Sequence, residues 1–317
     1  MKDLSDEKLA SIESIQQCLK DGKYICSRKI ATTVYIACQL GRPIIVEGPA
    51  GVGKTELAKT TAAFLNVPLI RMQCYEGIDE SKALYEWKYG KQLLYTQMLK
   101  DKLSDIVTET EGLSESIDKL LQYNDIFFST SFLEPRPLLQ ALLQKGGAVL
   151  LVDEIDKSDE EFEAFLMEIL SDFQVSVPEI GTIRADTKPL VFLTSNNTRE
   201  LSEALKRRCL HLFIPLPDPK LEKEIVRIRV PGISERLAIQ VVSFVQQLRA
   251  LDIKKVPSIS ETIDWARVVL LLHADKLSPN LVRDTLQVIL KFEEDIKVAE
   301  IFLDDMIRKA VKQARVQ

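Results

Sequence analysis

The sequence is poor in the residues that build metal centres and disulfide frameworks. Its 317 residues hold two histidines, His211 and His273, far apart in the chain. Both read as ordinary packed or surface side chains rather than metal ligands or catalytic bases. The five cysteines, Cys18, Cys26, Cys38, Cys74 and Cys209, are scattered, odd in number and never in a C-x-x-C pair. That spacing excludes the usual zinc and disulfide patterns and reads as reduced cytosolic thiols. No uncharged run approaches the ~18 residues of a membrane-spanning helix. The N-terminus opens on Lys2, Asp3, Asp6, Glu7 and Lys8 instead of an apolar signal core. These absences lead us to expect a soluble, cytoplasmic protein. An excess of basic charge is lacking too, since the net charge is −5. Lys206-Arg207-Arg208 is the densest cationic cluster and Lys254-Lys255 a short pair. A nucleic-acid groove needs several cations on one face, so no nucleic-acid partner is expected.

What is present suits a folded chain, with 46% apolar and 28% charged residues. The length allows one large or two modest domains. Helical spacing marks residues 5–40, with Ile12, Ile15 and Cys18 and then Ala31, Val34, Tyr35 and Cys38. A short apolar strand is expected within Arg42–Gly48, running into a glycine turn, and further strands at Val67–Met72, Ala148–Val152, Leu190–Thr194 and Leu212–Pro215, with helices between them. Residues 94–121 carry a helical stripe interrupted by the acidic Thr108–Ser116, and Phe127-Phe128 reads as a short strand. Gln174–Ala185 alternates around Gly181 as a hairpin. Alternating strands and helices define an α/β class with a parallel sheet. Pro215, Pro217 and Pro219 then mark a break, after which only helical patterns remain. The expected division is an α/β domain over 1–217 and an all-helical domain over 218–317.

Two motifs carry chemistry. Gly48-Pro49-Ala50-Gly51-Val52-Gly53-Lys54-Thr55 matches G-x-x-x-x-G-K-[ST] in full, between a strand and a helix. Its glycines let main-chain amides close on phosphate, and the helix start adds its positive dipole end. Lys54 is expected to reach the β- and γ-phosphates of ATP, and the Thr55 hydroxyl to ligate Mg²⁺. The second motif is Val149-Leu-Leu-Val-Asp153-Glu154, acids at the end of an apolar strand. Open α/β sheets place their ligand crevice there. Asp153 is expected to hold Mg²⁺, directly or through water, and Glu154 to orient and deprotonate the attacking water. Asp156 reads as a solvated surface acid or a helix N-cap.

At Leu193-Thr-Ser-Asn196-Asn and Ala204-Leu-Lys-Arg-Arg208-Cys the chain resembles an AAA+ ATPase. More narrowly it resembles the MoxR family and its CoxD-like branch, over roughly residues 25–290. The narrower likeness rests on the Cys74–Tyr95 insert, the hairpin before the Leu190 strand, and Val256-Pro-Ser-Ile-Ser-Glu-Thr-Ile-Asp-Trp-Ala-Arg267. The resemblance implies that Asn196 is the polar sensor beside the attacking water, with Asn197 the alternative if the register slips. It implies an arginine finger at Arg207 or Arg208. Arg208 is favoured because it precedes the Cys209–Ile214 strand. A finger lent by a neighbour implies a head-to-tail homo-oligomeric ring, and the resemblance implies a hexamer. The chain departs from the family where many relatives carry Ser-Pro-Arg. Here the stretch reads Ser260-Glu261-Thr262, leaving Arg267 on the same expected helix as a substitute or a solvated surface residue.

CoxD-like members imply a client. The resemblance points to remodelling of a metalloenzyme of the molybdenum hydroxylase or carbon monoxide dehydrogenase type, together with a von Willebrand A domain protein. Two other readings stand beside it, a nucleic-acid motor or loader and a nucleotide-dependent scaffold that does not hydrolyse ATP. The insert concentrates aromatics at Tyr75, Tyr85, Trp87, Tyr89 and Tyr95. They suit either partner contact or packing onto the core.

Overall fold

Each strand of the central sheet is sorted by the two-residue period of its side chains. Ile44, Val46, Val149, Leu151, Leu190 and Phe192 point to one face. Ile45, Leu150, Val152, Val191 and Leu193 point to the other. Both faces are therefore apolar, and both must be covered. The computed structural model describes Leu9, residues 11–95, residue 97, and residues 130–178 and 180–316. The helical stripe expected over 94–121 lies outside the described residues from residue 98 on, and so does the strand expected at Phe127-Phe128.

The strands of this sheet are β1 (Ile44–Glu47), β2 (Leu69–Gln73), β5 (Val149–Asp153), β8 (Leu190–Ser195) and β9 (Leu210–Phe213). All neighbours are parallel, in the order β2-β5-β8-β1-β9. The last strand starts two residues before the expected Leu212, because the amide of Leu210 already bonds the carbonyl of Pro43. On one face lie α1 (Ile12–Asp21), α2 (Arg28–Leu40) and α3 (Lys54–Leu65), sharing a core with Ile15, Val34 and Leu57. The opposite face is covered by α5 (Pro137–Leu142) and α6 (Glu160–Asp172), through Leu138, Leu139, Phe162 and Leu166. Short α4 (Glu80–Ala83), the antiparallel pair β3 (Tyr85–Trp87) and β4 (Leu133–Pro135), and a helical stretch over 89–95 belong to the described part of the insert. The hairpin β6 (Gln174–Val177) and β7 (Gly181–Arg184) follows α6.

Register brings the functional ends together. Gln73 stands opposite Asp153, and Glu47 opposite Ser195, so the polar residues gather along the carboxyl edge. After α7 (Glu203–Arg208) and β9 come five helices: α8 (Pro219–Arg229), α9 (Glu235–Leu248), α10 (Ile259–Leu271), α11 (Pro279–Ile289) and α12 (Glu293–Val316). Asp218, Ser234, Ser258 and Ser278 cap the first four of these, each accepting first-turn amides. Their apolar stripes close on Val226, Phe244, Trp265, Leu286 and Leu303, a core separate from those of the sheet. The class is α/β, a P-loop parallel-sheet core with a C-terminal all-α region.

The insert aromatics divide. Tyr85 and Trp87 pack against the sheet core, while Tyr75, Tyr89 and Tyr95 are exposed.

Candidate functional site

The loop from β1 to α3 is shaped by two contacts that only glycine permits. Gly48 has φ 151°, and a Cβ there would sit 2.1 Å from the carbonyl oxygen of Ile214. Gly51 has φ 74°, and a Cβ there would sit 2.1 Å from Ser258 Oγ in the helical bundle. The loop is thus pressed between the end of β9 and the start of α10. At Gly53 no side chain caps α3, so the amides of its first turn are free for an anion. Lys54 is buried, and its Nζ donates to the carbonyls of Gly48 (2.6 Å) and Pro49 (2.9 Å) and to Asn196 Oδ1 (2.8 Å). Burial holds its pKa below the usual lysine value, opposed by the negative charges of Asp156, Asp153 and Glu154.

The acids beside it are held individually. Asp153, only 5% exposed, accepts from Thr55 Oγ1 at 3.2 and 3.3 Å and from Arg71 Nη2 at 2.6 Å. The Thr194 hydroxyl also donates to it. That same Thr194 oxygen accepts the Glu154 amide at 2.9 Å. Glu154 lies in the left-handed region, φ 58° and ψ 51°, an uncommon conformation for a residue with a side chain. Its carboxylate accepts from Asn196 Nδ2 (3.2 Å) and Gln73 Nε2 (2.8 Å) and pairs with Lys157 (2.6 Å). Asn196 is therefore the bridge between Lys54 and Glu154. Asn197 does not line the cleft; its amide bonds Ser195 Oγ instead.

Asp156 corrects the reading of it as a solvated acid or helix cap. It is buried and accepts from the Asn196 amide (3.2 Å), the Thr198 amide (2.9 Å) and the Thr198 hydroxyl (2.6 Å). Burial alone raises its pKa, but the Thr198 and Asn196 hydrogen bonds outweigh that and hold it below the ordinary carboxylate value. It fixes the turn after β8 and so aims Asn196. Thr194, Gln73 and Arg71 were not singled out from sequence. The available signal was alternation, since Arg71 and Gln73 are polar at i and i+2 of a strand flanking the Asp153 strand.

These groups line one cleft of about 720 Å³ between the sheet edge and the bundle. Ala50, Gly51, Val52, Gly53, Lys54, Thr55, Asp153, Glu154 and Asn196 all face it. An apolar end is formed by Tyr24, Ile25, Ile30, Ile214, Leu221 and Ile225. On the bundle side Ser260 Oγ donates to the Gly51 carbonyl at 3.1 Å. Arg267 does not reach the cleft and pairs with Asp264 at 3.1 Å. The bundle cation that lines it is Arg229, paired with Glu56 of α3 at 2.9 Å. Arg208 is exposed, away from its own chain's cleft, with Nη1 donating to the Met167 carbonyl at 3.2 Å.

Thr55 and Asp153 fit a magnesium ion as hard oxygen donors, and Mg²⁺ takes few protein ligands beside phosphate and water. The described residues contain no cluster of three or more His, Cys, Asp or Glu side chains that could hold a metal ion. The buried ammonium of Lys54 and the uncapped helix start fit a polyphosphate.

A glycine loop at a helix start, facing two acids across a parallel sheet, defines a P-loop nucleotide-binding protein. The chain belongs to the AAA domain family, dynein-related subfamily, whose sequence profile matches residues 43–209. It is thus an AAA+ protein, and the family implies nucleotide binding. It is 24% identical over 220 residues to an uncharacterised protein of Staphylococcus epidermidis, covering 67% of this chain and 70% of that one. An uncharacterised Staphylococcus haemolyticus protein is 21% identical over 260 residues, covering 78% and 86%. Among solved structures it is similar to the Thermotoga maritima RuvB Holliday junction branch migration motor, with TM-score 0.44, 18% identity and coverage of 97% and 85%. It is also similar to NtrX from Brucella abortus in complex with ATP, with TM-score 0.47, 14% identity and coverage of 90% and 57%. No helix among the described residues is long and apolar enough to cross a membrane.

Proposed function

We propose that the chain hydrolyses ATP at a site shared between neighbouring copies and uses the cycle to move its helical lid, residues 218–317, against the nucleotide-binding part, residues 1–217. The observation that carries this is the continuous contact from Lys54 through Asn196 to Glu154, with Thr55 on Asp153, inside one cleft. Gly48, Pro49, Ala50, Gly51, Val52 and Gly53 supply the amide cradle and its frame, and Lys54 exchanges its carbonyl partners for phosphate oxygens. Thr55 and Asp153 are the residues that would hold Mg²⁺. That ion, when bound, offsets charge on the β- and γ-phosphates. Glu154 takes the proton of the attacking water, and Asn196 and Gln73 keep its carboxylate aimed. No arginine of the chain's own cleft other than Arg71 and Arg229 is present among the described residues. Arg208, exposed at the end of α7, exchanges its Met167 carbonyl partner for a neighbour's cleft in a head-to-tail ring, with six copies as the resemblance implies.

The test uses the whole protein. Glu154→Gln should abolish steady-state ATPase activity while a fluorescent ATP analogue still binds. Arg208→Ala should also be inactive, yet mixing it with the Glu154→Gln form should restore turnover, since mixed interfaces pair an intact Glu154 with an intact Arg208. Full activity of Arg208→Ala alone would remove the shared site.

What the motion acts on is proposed from the resemblance to the CoxD-like branch of MoxR ATPases. That client is a metalloenzyme of the molybdenum hydroxylase or carbon monoxide dehydrogenase type, engaged with a von Willebrand A domain protein. The exposed Tyr75, Tyr89 and Tyr95 offer a surface for such a partner. Pull-down with ATP-loaded Glu154→Gln should retain that pair. Recovery of nucleic acid, with ATPase stimulation by DNA, would instead favour the motor reading.

A further inference from the structure

The Asp153 carboxylate carries one contact that phosphate chemistry does not require. Arg71 stands opposite Leu151, one pleat below the Gln73–Asp153 pair, on the same face of the sheet as those two residues. β2 is the edge strand, so an arginine there has solvent beside it and enough length to reach the carboxyl ends of the strands. Its Nη2 donates to Asp153 Oδ2 at 2.6 Å and to Gln73 Oε1 at 3.0 Å. The guanidinium side chain is 50% exposed, whereas the carboxylate it caps is 7% exposed. No carboxylate other than Asp153 pairs with Arg71 among the described residues. Thr194 donates to the other oxygen, Oδ1, and Thr55 Oγ1 lies within reach of both, 3.2 Å from Oδ1 and 3.3 Å from Oδ2.

A divalent cation placed between Thr55 and Asp153 needs this same carboxylate, directly or through a bound water. It also places two positive charges beside a third. The guanidinium and the metal thus draw on the same carboxylate. The half-exposed position of Arg71 makes its departure easy, because it leaves one carboxylate for water and not for an apolar wall.

We propose that Arg71 is a resident counter-ion that competes with Mg²⁺ for Asp153 and sets the magnesium concentration at which Mg–nucleotide is bound. This rests on the reading that Thr55 and Asp153 hold the metal. Competition keeps the buried Asp153 charge balanced when metal is scarce, and it couples occupancy of the cleft to free magnesium as well as to nucleotide.

The experiment measures binding of a fluorescent, non-hydrolysable ATP analogue to the intact protein at fixed analogue concentration, titrating Mg²⁺. Arg71→Gln keeps an amide donor and removes the charge. It should lower the half-saturating Mg²⁺ about two- to fivefold, the range that a half-exposed ion pair supports. Arg71→Lys should stay within about twofold of wild type, since it keeps the charge. In an Asp153→Asn background, Arg71→Gln should shift nothing further. An unchanged or raised Mg²⁺ midpoint in Arg71→Gln, with nucleotide still bound, overturns the proposal. A wild type whose nucleotide binding ignores Mg²⁺ would instead remove the underlying metal assignment, so the two failures are told apart.

Discussion

The Glu222 side chain of α8 is fully buried and accepts from four donor atoms. Arg249 forms a two-pronged pair with it, Nη1 to Oε2 and Nη2 to Oε1, both at 2.7 Å. Gln246 Nε2 (2.6 Å) and Thr262 Oγ1 (2.7 Å) fill the remaining positions. The side chains of Glu222 and Arg249 are 0% and 8% exposed. Replacing Arg249 by Met keeps most of the volume and leaves Glu222 with two neutral donors and no counter-charge. Breaking a buried pair from one side costs about 3–5 kcal/mol, a large share of the ~5–15 kcal/mol that holds a domain. The chain has two tryptophans, of which Trp265 lies in the bundle core and bonds Thr285. In a Trp87→Phe background its fluorescence reports bundle unfolding alone. With a urea slope of about 1–3 kcal/mol per molar, the Arg249→Met midpoint should fall by about 2 M. Converting both partners to apolar residues, Glu222→Leu with Arg249→Met, should recover most of that loss. An Arg249→Met midpoint within about 0.3 M of the parent, at an unchanged slope, would refute the argument, because the pair would then behave like an exposed one.

Two further expectations concern the contact between loop and bundle. Gly51→Ala forces a side chain into the left-handed region, at about 1–2 kcal/mol, and drives its Cβ onto Ser258 Oγ. Fluorescent-nucleotide affinity should fall by about tenfold or more while the Trp265 unfolding midpoint stays put; wild-type affinity would mean the loop does not need that pose. Glu261 completes the capping box of α10 with Ser258. Burial raises its pKa, but hydrogen bonds from Ser258 and backbone amides together with Lys255 bring it below the ordinary glutamate value. A folded pKa below the unfolded one means this contribution is complete above the unfolded value and is lost as pH falls through the folded one. Below pH ~4.5 the wild-type bundle should therefore lose more stability than Glu261→Gln, measured by Trp265 unfolding; parallel pH profiles would contradict the assignment.

The strands of the core were legible because burial on both faces leaves near-continuous apolar runs, as in Val149–Val152 and Leu190–Leu193. The phosphate loop was legible because close approach of backbone to ligand demands glycine at fixed offsets. What escaped were residues whose role is set by neighbours distant in sequence. Asp156 looks like a surface acid until β8 brings Thr198 and the Asn196 amide to it. Arg71 looks like an edge-strand solubiliser until register places Asp153 within its reach. Arg229 ends a helix with the basic last turn that any helix favours, and only tertiary packing shows Glu56 beside it. The expected substitute, Arg267, shares a helix with Ser260, but it lies seven residues on from it, about two turns away.

The missing Ser-Pro-Arg arginine has a structural counterpart in this arrangement. Ser260 donates to the Gly51 carbonyl, Ser258 crowds the same glycine, and Arg229 pairs with Glu56 in the first turn of α3. The bundle therefore contacts both the loop and the helix start, the two elements that would cradle phosphate in the proposed site. An arginine at the γ-phosphate senses one group of the ligand. In the proposed cycle, a grip on Gly51 and α3 would instead respond to the shape of the whole loop. The Glu222–Arg249 network holds that grip in register, since Thr262 bonds Glu222 one turn past Ser258 and Arg249 Nε bonds the Pro257 carbonyl just before it. Loosening the network should thus weaken coupling between nucleotide and bundle before the bundle itself unfolds.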